Sequence, residues 1–231
     1  MRSFLKPGVL SGLKRSIPIL LGYIPVAIAF AILALNAGFS PLLTIFMSAT
    51  VFAGASQFIA VELLSNGIDY GIILVTTLVV NLRHLLMSFY ISNHLQHWRW
   101  RDIYIFCFGL TDEAFALHSS RIAQGELLKI EAMTINIVGY GTWIFGTILG
   151  VLIGPLLMGN QAIALDFALP AMFIVLLVLI ADSIKKLAVA IIAGCVAIVI
   201  NLTGFGQWSV LLATVFVATI GLGIDRWKTK S

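Results

Sequence analysis

Apolar stretches long enough to cross a bilayer follow one another along this chain from Ile17 to Leu222. A spanning helix takes about 20 residues, so with connections 231 residues hold at most about eight spans. No length is left for a soluble catalytic domain. Hydrophobic residues make up 60% of the chain and charged residues 10%, where a soluble domain carries about a quarter charged. A soluble enzyme, a disordered protein and a nucleic-acid binder are excluded on that ground, despite a net charge of +4. Cys107 and Cys195 both lie inside apolar runs, which offers neither a disulfide framework nor a thiolate metal cage. There is no Gly-x4-Gly-Lys-Ser/Thr phosphate loop and no dinucleotide fingerprint, so no cofactor or metal is expected.

The expected fold is an all-α, polytopic integral membrane helix bundle, with residues 1–231 as one transmembrane domain. Eight segments fit: 17–36, 41–65, 69–93, 102–120, 132–153, 166–182, 186–203 and 208–224. Asn36-Ala37-Gly38 with Pro41, Ser65-Asn66-Gly67, Gly154-Pro155 and Gly204-Phe205-Gly206 punctuate them. Residues 1–16 are basic without a small-residue cleavage site and read as a retained cytoplasmic lead-in. Lys and Arg concentrate on cytoplasmic connections. Eight spans with both termini inside put all Lys and Arg there except Arg83, within a span, and Arg99 and Arg101 outside. Making 41–65 re-entrant instead would divide the charge almost evenly, so the eight-span reading is preferred. It leaves the 93–101 connection outside, beside the interfacial Trp98 and Trp100. Gly22-Tyr23 recurs as Gly139-Tyr140 and Asn81-Leu82 as Asn201-Leu202, a faint parallel repeat near 120 residues.

Polar groups within hydrocarbon are expensive and face the bundle interior. Three successive segments place such groups at one depth: Gly54-Ala55-Ser56-Gln57, Asn81 with Arg83 and His84, and Thr111-Asp112-Glu113. Arg83 cannot shed its proton, so it needs a counter-charge from Asp112 or Glu113. Neighbouring residues on a helix point about 100° apart, so one of the two carboxylates is left for a ligand ammonium or a proton. Gly54-Ala55-Ser56 serves either close helix packing or a local break whose free amides hold a carboxylate. Pro25 frees the carbonyl of Leu21 and kinks the first span. His84 and His118 read first as packing residues, His118 also as a proton-relay candidate, and His94 and His97 as solvated. Gly146, Gly150 and Gly154 line one face of the fifth segment, a helix-contact signal whose partner is open. Trp143 lies too deep for an interfacial belt and reads as packed inside.

At these residues the chain resembles the AzlC family, the large subunit of branched-chain amino acid exporters. The resemblance rests on Phe52-Ala53-Gly54-Ala55-Ser56-Gln57-Phe58, Asn81-Leu82-Arg83-His84-Leu85-Leu86, Thr111-Asp112-Glu113-Ala114-Phe115-Ala116-Leu117 and Asp166-Phe167-Ala168-Leu169-Pro170-Ala171-Met172-Phe173. It implies efflux of valine, leucine, isoleucine or similar amino acids, methionine included, across a bacterial-type cytoplasmic membrane. It also implies a small membrane partner subunit of the AzlD type.

The leading expectation is therefore a secondary transporter, not an enzyme. Its substrate-binding candidates are Gly54, Ala55, Ser56, Gln57, Asn81, Arg83, Asp112 and Glu113. Asp112 and Glu113 are also the proton-coupling candidates. Two rivals come from other classes. An intramembrane serine hydrolase would use Ser56 and His84, though Gln57 stands where that motif has a second glycine. A purely structural subunit would leave the midplane charge without a task.

Overall fold

The computed structural model describes residues 7–125, 127–157 and 184–205, with positions 174, 212, 213, 216, 217 and 219 described singly. The chain divides into two compact units, 1–172 and 173–231. In the first, the helices are α1 (Pro7–Asn36), α2 (Pro41–Thr50), α3 (Gly54–Ser65), α4 (Tyr70–Ser92), α5 (Trp100–Phe108), α6 (Asp112–Ala123) and α7 (Lys129–Leu157). In the second, α8 (Ile184–Ile200) runs into a π-helical turn, Asn201–Phe205, and accounts for the expected segment 186–203. The expected segments 166–182 and 208–224, and the motif from Asp166 to Phe173, lie outside the described residues apart from single positions. Every described element is helical.

Among the described residues three helices are long and apolar enough to cross a bilayer, namely α1, α4 and α7. α1 and α7 lie side by side and parallel. A Cβ on Gly146 would stand 2.7 Å from that of Ala27, and one on Gly150 2.7 Å from that of Ala31. Further along, Gly154 faces Leu35, and toward the start Gly12 faces Thr134. The glycine stripe of the fifth segment thus has its partner in the same chain. Small residues let the two backbones approach closely, and close approach is what drives helix association where lipid removes the hydrophobic gain.

α4 runs the opposite way. Its last turns share a cluster with Phe106, Leu110 and Ala132, and Trp98 just beyond it lies under the Lys129 ammonium at the start of α7. The connection 93–99 therefore sits on the membrane face where α1 and α7 begin, here the proximal face. The connection 66–69 sits on the distal face, where α1 ends.

That geometry makes both remaining helix pairs re-entrant. α2 and α3 leave the distal end of α1 and must return to the distal start of α4. Gln57 on α3 donates to Ser48 on α2 at 3.2 Å, whereas an unbroken helix would hold residues nine apart at about 13 Å. The aromatic contacts agree in direction: Tyr23 meets Phe52 at the tip and Phe30, two turns further along α1, meets Phe58. α5 and α6 form the same hairpin from the proximal face. Asp102 at the start of α5 pairs with Lys129, and Arg121 at the end of α6 pairs with Glu131 at 2.9 Å, both in the first turn of α7. Glu131, only 3% exposed, also takes Ser11 and Arg15 of α1.

Two expectations are corrected here. Segments 41–65 and 102–120 are hairpins, not crossings, and the 93–101 connection lies on the same face as the start of α1, not the opposite one. Helices of nine and twelve residues reach only about 13 and 18 Å, short of a hydrocarbon core about 30 Å thick. The repeat is also different in kind. α1 with its distal hairpin is repeated, inverted, by α4 with its proximal hairpin, at a spacing near 58 residues that pairs Gly54 with Asp112 and Tyr23 with Asn81.

In a background with Cys107 and Cys195 replaced by serine, a cysteine at the exposed Gln96 will react with an impermeant maleimide from the face that reports an N-terminal tag. A cysteine at Asn66 will react from the other face. Labelling of Gln96 opposite to the tag would return segment 102–120 to a crossing.

Candidate functional site

Both hairpin tips pack against α7 near mid-depth, and Tyr23 of α1 bridges them through Phe52 on one side and Thr111 and Glu113 on the other. At the distal tip, Val51 to Ala53 are extended and α3 starts at Gly54. A Cβ on Gly54 would stand 2.7 Å from the Trp143 indole, so the missing side chain is what lets that ring in. At the proximal tip, a Cβ on Gly109 would stand 2.7 Å from Asn136. Asn136 and Trp143 are seven residues apart, two turns along the same side of α7. One helix therefore backs both tips.

Around the indole lies a closed polar network. Trp143 donates to Gln57 Oε1 at 2.8 Å, Gln57 donates to Ser48, and Ser48 shares a hydrogen bond with Thr147 at 2.8 Å. Gln57 is fully buried and spends its side chain on this network, which ties α2 and α3 to α7. Tyr140 closes the same region by donating to the Ala49 carbonyl at 2.7 Å.

The charged groups divide as their spacing on α6 requires. Asp112 pairs with Arg83 at 3.0 Å. Glu113 instead accepts from the Tyr23 hydroxyl at 2.6 Å, and that hydroxyl is also 2.6 Å from Thr111 Oγ1. Asn81 accepts from Ser56 at 2.8 Å. Of the eight residues expected at a site, Ser56 and Asn81 form one pair and Arg83 and Asp112 another. Gln57 and Gly54 turn to Trp143, Ala55 is buried behind them, and Glu113 turns to Tyr23. Ser56 spends its one proton on Asn81, not on His84. His118 bonds Asn136 through Nε2 at 2.8 Å, Asn136 donates to the Phe106 carbonyl, and the His118 ring lies 5.0 Å from that of Phe106. It fastens the proximal hairpin to α7.

The two half-helix starts differ electrostatically. α6 is capped from within: Thr111 accepts from the Ala114 amide, and Asp112 and Glu113 stand in the first turn, where carboxylates offset the helix dipole. α3 begins on Ala53, which has no side-chain acceptor, and its first turn holds no acid. Its leading amides carry the partial positive charge of a helix start, and the N-cap side chain does not meet it. Among the described residues no group of three His, Cys, Asp or Glu could hold a metal.

Tyr23 is the participant that sequence reasoning missed. It appeared only as half of a repeated Gly-Tyr pair, and no local signal sets its hydroxyl at Glu113, 90 residues away.

These features define an all-helical, membrane-embedded protein whose polar centre lies between two re-entrant tips. The chain belongs to the AzlC family: the family model described as AzlC protein matches residues 18–157. It is 34% identical to the inner membrane protein YgaZ of Escherichia coli over 210 residues, 88% of this chain and 85% of that one. An uncharacterized membrane protein of Archaeoglobus fulgidus is 36% identical over 87% of this chain and 90% of its own length. The branched-chain amino acid transport protein AzlC of Bacillus subtilis is 28% identical over 73% of this chain and 66% of its own. No solved structure matches.

Two stability experiments follow. In a double-mutant cycle, Arg83→Ala and Asp112→Ala will couple by about 1–2 kcal/mol, and Arg83→Ala with Glu113→Ala will be near additive. Gly54→Ala will lower the unfolding free energy by about 1–3 kcal/mol through overpacking, and by clearly less when Trp143 is already phenylalanine. Thermal unfolding of purified protein reads both.

Proposed function

We propose that this protein is a secondary transporter exporting branched-chain amino acids across the cytoplasmic membrane. The observation that carries this reading is the asymmetry of the two tips. A zwitterion needs one place for an anion and one for a cation; the start of α3 lacks a side-chain cap and the start of α6 bears two carboxylates, and Tyr23 touches both tips, at Phe52 and at Thr111 and Glu113. The substrate carboxylate takes the amides of Gly54, Ala55 and Ser56 with the Ser56 hydroxyl. The ammonium takes Glu113, with Asp112 held in place by Arg83 and Asn81 beside Ser56. Phe52, Tyr23 and their aromatic neighbours supply apolar contact for a branched side chain. The printed name of the Bacillus subtilis relative supports the substrate class. Gln57 acts through the Trp143 network, as a support for the tip.

Glu113 is the proton carrier in this reading. Asp112 is committed to a guanidinium, while Glu113 holds only neutral hydroxyl partners and can exchange a proton for an ammonium. The N-terminus is cytoplasmic. Lys14, Arg15, Arg99, Arg101, Arg121 and Lys129 all lie on or beside the proximal face, and among the described residues the distal connections 37–40 and 66–69 carry no Lys or Arg. The charge bias is cleaner than with crossings at 41–65 and 102–120, because Arg99 and Arg101 now fall on the positive side. The chain works as the large subunit beside a small AzlD-type membrane subunit.

Leucine flux in proteoliposomes, with and without that subunit, tests the reading. An imposed pH gradient will drive leucine accumulation. Glu113→Gln will remove at least about tenfold of the gradient-driven flux while leucine exchange without a gradient persists. Retention of gradient-driven flux by Glu113→Gln would take the coupling role from this residue.

A further inference from the structure

The inverted repeat has a consequence at the hairpin tips. Tyr23 and Asn81 occupy equivalent places in the two repeats, mid-way along α1 and α4. Each reaches across to the hairpin of the other repeat, not its own. Asn81 of α4 takes the Ser56 hydroxyl in the first turn of α3, the returning arm of the distal hairpin. Tyr23 of α1 takes Thr111 and Glu113 at the start of α6, the returning arm of the proximal hairpin. The two bonds are thus counterparts under the same inversion that relates the helices.

The hairpins themselves are fastened unevenly. The proximal one is pinned at its base by the Asp102–Lys129 and Arg121–Glu131 pairs on its own membrane face. Toward the tip it meets α1 through the Tyr23 hydroxyl. At the distal tip, Ser56 to Asn81 is the hydrogen bond to α4. Each tip is also tied to α7, the distal one through Gln57 with Trp143 and Tyr140 with Ala49, the proximal one through Asn136 with Phe106, and Asp112 is held by Arg83. The bond to the opposite repeat adds to these, and its release loosens the tip against that repeat without detaching it from α7.

We propose that the two hairpins are the distal and proximal gates of the pathway, and that Asn81 and Tyr23 are their latches, each closing the gate that belongs to the other repeat. This rests on the transporter reading and adds its gating to it. The latched groups are also the ones assigned to the substrate. The Ser56 hydroxyl has one proton to donate, to Asn81 or to a substrate carboxylate. Glu113 accepts from the Tyr23 hydroxyl through Oε2, and an ammonium at the same carboxylate would neutralise the charge that draws that hydroxyl. A bound zwitterion therefore competes directly for the Ser56 proton and weakens the pull of Glu113 on Tyr23, which ties release of a gate to occupancy of the site.

The test reads gate opening directly, without transport. In the full-length protein with Cys107 and Cys195 replaced by serine, single reporter cysteines are placed at Ala53 in the distal tip and Leu110 in the proximal tip. Sealed vesicles of each orientation are treated with an impermeant maleimide. Ser56→Ala and Asn81→Ala will each raise labelling of the Ala53 reporter about fivefold from the distal face, as loss of one hydrogen bond allows, and leave the Leu110 reporter unchanged. Tyr23→Phe and Thr111→Ala will raise labelling of the Leu110 reporter from the proximal face only. Using both members of each bond guards against one variant failing to fold, with monodispersity on a sizing column as the entry criterion. Labelling that rises equally from both faces, or stays flat in folded variants, overturns the latches. Face-selective labelling in a protein that moves no leucine would support the gates while removing the substrate reading.

Discussion

Along α7, Gly146 and Gly150 let α1 approach until Cβ positions would nearly touch, and everything at the centre depends on that contact. Within lipid, two helices gain little from hydrophobicity toward each other, so shape and close backbone approach must hold them. With α1 fixed on one side of α7, the adjoining side is left to carry Asn136, Trp143 and Thr147 against the hairpins. Trp143 fills the space that Gly54 leaves, and Asn136 the space that Gly109 leaves. The backbone breaks at the two tips include buried positions with protein packed against them, Phe52 at one and Gly109 to Thr111 at the other. That is the condition under which irregular backbone is tolerated at membrane depth.

The same frame sorts the polar groups into supports and working parts. Gln57, Ser48, Thr147 and Trp143 satisfy one another in a closed network and rigidify the distal tip. Arg83 and Asp112 neutralise each other between α4 and α6. What is left with looser commitments is the start of α3, the Ser56 hydroxyl, and Glu113 with Tyr23. A partly buried ion pair next to a carboxylate held only by hydroxyls is an arrangement that separates positioning from proton exchange.

Hydropathy and charge counting misread two segments, and the reason is physical. Segment 41–65 has the length and composition of a crossing, because a hairpin in the bilayer needs as many apolar residues as a span does. Counting Lys and Arg then depends on which connections are assigned to which face, and two wrong crossings, one on each side of α4, cancel for everything except α4 and the connections at its two ends, of which only 93–101 carries Lys or Arg. The discordant Arg99 and Arg101 were the trace of that error. A second trace was local: Gly109 followed by Thr111-Asp112-Glu113 is a helix stop and a capped start, read through as mid-span polarity.

The sequence by itself determined the all-helical membrane class, the family, the three polar clusters at one depth and the need of Arg83 for a neighbouring carboxylate. Each follows from composition, short motifs or the cost of charge in hydrocarbon, which are properties of single segments. The tertiary structure decided which carboxylate Arg83 takes, that Glu113 belongs to Tyr23, that the glycine stripe meets α1, and that two apolar segments turn back. Those outcomes depend on helices 20 to 120 residues apart meeting side by side. No local pattern encodes a partner at that distance, because many pairings satisfy the same apolar surface and only the packed set satisfies them together.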